Sequence, residues 1–148
     1  MQCTLCFAAR HVVRDARSNN ISAFFILEEF RVEGLPAFVP ELSILAVWFR
    51  EATDPERIEL EFRARINDRR LSTLAVVVQF ASEAPARHRS IVALANTVLM
   101  EPGTLHFEFL RQETVIASYS IPVLSRQPQA ATLDEGRAAP NADAPIVN

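Results

Sequence analysis

The sequence predicts an all-β fold, a single-domain antiparallel immunoglobulin-like β-sandwich of about eight strands over residues 1–124, with a disordered tail over residues 125–148. Three observations carry this expectation. β-branched and aromatic residues gather in runs of about eight to eleven residues, broken by clusters of Asn, Asp, Pro and Glu at the spacing of a sandwich. Ile58, Leu60, Phe62, Ala64 and Ile66 alternate with Arg57, Glu59, Glu61, Arg63 and Arg65, a period of two with one apolar and one wet face. A helical period fits none of these runs well.

In chain order the first strand is expected at Cys3–Val13, followed by a polar turn and a second strand at Asn20–Phe30. Asn19 and Asn20 tolerate the positive φ that a turn needs where glycine is scarce. Gly34, Pro36 and Pro40 mark Arg31–Pro40 as a loop, since proline cannot donate to a sheet ladder. Strands follow at Leu42–Arg50, Arg57–Ile66 and Leu71–Phe80, with Asn67–Arg70 turning the second of these onto the third. A break at Ala81–Ala86 precedes strands at His88–Met100, Thr104–Arg111 and Thr114–Leu124. Glu101, Pro102 and Gly103 suit a type II turn, proline fixing φ at the second position and glycine supplying positive φ at the third. From Ser125 onward Ala, Pro, Gln, Asp and Asn dominate, and so little apolar surface cannot offset the loss of chain entropy.

Composition excludes several chemistries. All 15 basic residues are arginine, so there is no Walker lysine and no Schiff base; glycine occurs only at positions 34, 103 and 136, so no G-x-G-x-x-G loop exists. The net charge of -3 argues against general attraction to nucleic acid or anionic membranes. Apolar stretches stay far below the roughly 18 residues of a membrane span. The first residues have no basic segment and meet Arg10 and His11 early, so the chain is expected in the cytoplasm. Cys3 and Cys6 stand alone without a second ligand pair, and on a regular strand they point to opposite faces, as small apolar side chains would. No cofactor and no metal site is expected.

Several features in order carry a resemblance: Leu5 with Cys6, the stretch Asn19 to Leu27, Phe38 to Pro40, Leu42 to Phe49, Glu56 to Ile66, Asn67 with Asp68, and Glu101 to Val123. The chain resembles a family of small bacterial β-sandwich proteins known only as a domain of unknown function. Arg57, Arg69 and Arg70 stand where that pattern leads one to expect glycine, which affects turns more than fold. The resemblance implies a sandwich and carries no catalytic residue across.

Glu59 and Glu61 share a strand face about 7 Å apart, a spacing open to acid and base work, although Arg63 and Arg65 continue that face as a solvated ladder. His11, His88 and His106 lie on three strands with no metal-ligand spacing. A hydrolase reading requires His88 or His106 beside a carboxylate at loop ends. Arg69 with Arg70, and Arg87 with Arg89, form two short basic clusters that suit an anion, or nucleic acid if they share one surface.

The sharper signal is apolar excess. Phe24–Leu27, Leu42–Phe49 and Leu74–Val78 are apolar on both faces, more than a two-layer sandwich hides. Leu42, Ile44, Ala46 and Trp48 point one way, and Leu45, Val47 and Phe49 the other. Either the loop bearing Leu35, Phe38 and Val39 covers that second face, or a protein partner or homodimer does, or the excess lines a small-molecule pocket between the sheets. The reading is a non-enzymatic interaction or accessory module contacting its partner through Leu45, Val47, Phe49, Val76 and Val78.

Overall fold

The computed structural model describes residues 1–125, and these are all-β; the expected C-terminal tail lies outside the described residues apart from Ser125. The strands are β1 (Gln2–Arg14), β2 (Ile21–Ile26), β3 (Phe30–Val32), β4 (Ala37–Arg50), β5 (Arg57–Ile66), β6 (Arg69–Gln79), β7 (Ala86–Leu99), β8 (Gly103–Arg111) and β9 (Thr114–Ser125). They form two packed sheets, one ordered β2-β1-β4-β7 and the other β3-β9-β8-β5-β6.

Alternation in β5 is realised fully: Ile58, Leu60, Phe62, Ala64 and Ile66 are buried. On its wet side Arg63 pairs with Glu61 at 2.8 Å and Arg57 with Glu59 at 3.2 Å, while Arg65 reaches Glu108 across the sheet at 2.9 Å. The opposing sheet supplies Ile44, Ala46 and Trp48, all 0% exposed. Trp48 packs edge-on to Phe109 with centroids 5.3 Å apart, and Phe62 packs on Phe109 at 5.2 Å. Its indole N–H donates to Ser90 Oγ at 3.0 Å, so the largest core side chain leaves no orphaned donor.

The expected second strand is divided into β2 and β3, and β4 begins at Ala37, inside the expected loop. Phe25 takes φ 57°, which breaks the strand near its end, and Phe30–Val32 pairs in parallel with Val123–Ser125. Tyr119 fixes the link by donating its hydroxyl to Leu27 O at 2.7 Å. Gly103 does adopt positive φ (150°), but as the first residue of β8 opposite Val123 rather than inside a turn.

A bulge between Cys3 and Leu5 corrects the expectation for the cysteines. The extra residue shifts the pleat, so that Cys3 lies opposite Trp48 and Cys6 opposite Ala46, and both side chains face the core. Burial, reinforced by the neighbouring Cys3, pushes the Cys6 thiol up to about 12, which keeps it protonated and unreactive.

The first strand also decides what covers the outer face of the β2-β1-β4-β7 sheet. Residues Gln2–Ala9 pair with β4, whereas Ala9–Arg14 pair with β2. A straight β1 would carry Arg14 roughly 17 Å beyond Ala9, away from the Leu5 end. Instead Asn19, at the tip of the β1–β2 hairpin, accepts a hydrogen bond at 3.3 Å from Arg89, whose place in the ladder is beside Val47 and Leu5. The hairpin therefore folds back over the sheet as an arm. Asp15 shapes its tip, accepting from the Ser18 amide at 2.6 Å, the Ser18 hydroxyl at 2.8 Å and the Arg17 amide at 2.9 Å.

Candidate functional site

Beneath the arm, Leu5, Phe7, Leu45 and Val47 from the sheet and Ile21 and Ala23 from β2 line an apolar groove of about 390 Å³, with Asn20 and Arg89 also on its wall. This arm covers part of the second apolar face: Leu45 is buried beneath it, while Leu5 and Ile91 stay 48% and 39% exposed. The loop with Leu35, Phe38 and Val39 does not cover it: Val39 is buried in the core, and Phe38 is exposed to solvent.

The expected contact residues consequently divide. Leu45 is 3% exposed and Val78 is 0% exposed, both enclosed by their own chain. Val78 lies opposite Ile58 and Val76 opposite Leu60, so these two belong to the inner face of the sandwich and not to a docking surface. Val47 and Phe49 are half-buried. Large apolar side chains do remain outside, at positions the contact set omitted. Phe24, Phe25 and Ile26 are 50%, 72% and 55% exposed, three in succession on the outermost strand of their sheet. The signal is present in the sequence as Phe24–Leu27, but only the hairpin's reversal shows that Phe24, Phe25 and Ile26 lie outside on the arm while Leu27 is buried.

The two arginine clusters do not share a surface patch. Arg69 and Arg70 begin β6, whereas Arg87 and Arg89 lie near its far end, roughly 30 Å away along the strand. Shallow grooves of about 400 and 440 Å³ run between β6 and β7 from one end toward the other. The histidines are also dispersed. His106 Nδ1 lies 2.8 Å from Ser120 Oγ and His88 Nδ1 lies 2.8 Å from Gln79 O; among the described residues neither ring has a carboxylate as hydrogen-bond partner. No cluster of three or more His, Cys, Asp or Glu suited to a metal occurs among the described residues. No described helix is long and apolar enough to cross a membrane.

Burial lowers the His88 pKa below its ordinary value of 6.5, partly opposed by the bond to Gln79 O. A group whose folded pKa is depressed contributes stability above its unfolded pKa that is lost as pH falls through the folded one. Urea unfolding is therefore expected to show a decline below about pH 6.5, and His88→Gln removes that part of it. An identical slope in both proteins contradicts the assignment.

No family model and no curated protein matches the chain.

Proposed function

We propose that the protein is a non-catalytic interaction or accessory module of the bacterial cytoplasm, docking a protein partner or a second copy of itself along the edge of β2. One observation carries the reading: Phe24, Phe25 and Ile26 stand exposed in sequence on an edge strand. Other large apolar side chains are exposed as well, among them Phe38 at 60%, Val77 at 45% and Val98 at 45%, but Phe24, Phe25 and Ile26 follow one another on an edge strand, and Phe25 is the most exposed large apolar side chain among the described residues. An edge strand also offers unpaired backbone N–H and C=O groups, and apolar side chains beside them favour pairing with another chain.

In this reading the sandwich is immunoglobulin-like. β1, β4 and β7 take the places of strands A, B and E, and β9, β8, β5 and β6 those of G, F, C and C′, with β2 added as the arm. The resemblance to the small bacterial β-sandwich family belongs to the same proposal. The free thiols of Cys3 and Cys6 suit a reducing compartment.

Replacing both Phe24→Glu and Phe25→Glu is expected to leave the circular dichroism spectrum and the melting temperature nearly unchanged, because surface substitutions stay within about 0.5 kcal/mol. The tagged full chain, expressed in its native cell, should run on size exclusion in an assembly larger than the monomer. The double variant should run at the monomer position. Co-elution of the two forms at one position sinks the reading.

A further inference from the structure

We propose that Arg14, Arg87 and Arg89 form a binding site for a phosphate dianion that latches the arm onto the sheet, independently of the β2 edge. Arg87 and Arg89 lie two residues apart on the outer face of β7, opposite Phe49 and Val47, about 7 Å apart along the strand. Because the hairpin folds back, Arg14 from the end of β1 joins them, and with Asn19 and His88 they line one small pocket of about 110 Å³. At about 30 Å³ per water, that is room for a tetrahedral oxyanion.

No carboxylate lines this pocket, and among the described residues none of the three arginines takes part in an ion pair. Asp15, next to Arg14, spends its Oδ1 on the Ser18 and Arg17 groups of the arm's own tip. The bond from Arg89 to Asn19 O already holds one guanidinium at the pocket wall. Guanidinium groups fork onto phosphate oxygens, and three of them gathered from two elements repel one another until an anion sits between them. An anion held by Arg14 on one side and Arg87 with Arg89 on the other ties the arm to the sheet edge and closes the groove over Leu45 and Val47.

The test uses the full chain with inorganic phosphate, ionic strength held constant with chloride. Amide resonances of Arg14, Asn19 and Arg87–Arg89 should shift saturably, and at ten times the dissociation constant exchange of the Ile21–Ile26 amides should slow roughly tenfold. Arg14→Gln or Arg87→Gln should each weaken binding several-fold, roughly as loss of one charge-assisted contact does; Arg69→Gln with Arg70→Gln should not. A phosphoserine peptide then identifies the source: binding tighter than phosphate indicates a modified protein, binding weaker indicates the free anion, and either supports the site. Shifts that follow ionic strength alone, arm exchange that phosphate leaves unchanged, or equal sensitivity to Arg69 and Arg70 overturn it.

Discussion

Replacing Trp48 with alanine is expected to lower the unfolding free energy by about 3–5 kcal/mol. The indole is 0% exposed at the centre of the sandwich and meets Phe109 edge-on, so truncation removes an aromatic pair and opens a cavity between the sheets. It also removes the indole N–H from Ser90 Oγ, which has no other donor among the described residues. Against a total stability of about 5–15 kcal/mol, such a loss leaves the domain marginal. Trp48→Phe keeps most of the apolar volume and loses the N–H, so it should fall between the two. Urea denaturation with an unchanged slope checks this, and a loss for Trp48→Ala below about 1 kcal/mol, the size of an ordinary surface change, contradicts the packing.

Arg50 should be nearly as intolerant. Its side chain is 6% exposed, and its guanidinium donates to Asp54 O at 2.9 Å, Ala81 O at 2.9 Å and Ser82 O at 3.2 Å. One charged group thereby ties the β4–β5 loop to the β6–β7 loop and satisfies three carbonyls. Arg50→Met keeps the apolar stem and leaves those carbonyls without their donor, a loss of about 2–4 kcal/mol by the strength of charge-assisted bonds. Lysine should rescue little, since a single ammonium cannot reproduce the fork across two loops. Thermal unfolding of Arg50→Met and Arg50→Lys decides it; full recovery with lysine refutes the role of the fork.

Local alternation made some of this architecture legible in the amino-acid order. Arg57–Ile66 shows its faces because charges separate every apolar residue, and Ile44, Ala46 and Trp48 point inward as their spacing implies. Leu74–Val78 resisted such reading, because apolar residues occupy both parities. There the register against β5, with Val78 opposite Ile58, selects the inward set. The bulge near Cys3 and the reversal after Ala9 are backbone events that no hydrophobic pattern records. They place both cysteines toward the core and the arm over Leu45 and Val47. The arginine clusters show the same limit, since only strand order reveals that Arg69 and Arg70 stand a strand's length from Arg87 and Arg89, and that Arg14 joins the latter.

Photo-crosslinking in the native cell tests the docking surface most directly, with benzoylphenylalanine placed at position 25 and, as a control, at position 59 on the charged face of β5. The account predicts a discrete covalent adduct from position 25, to a partner or to a second copy of the chain, and none from position 59. No adduct at position 25, or the same adduct from both positions, contradicts it.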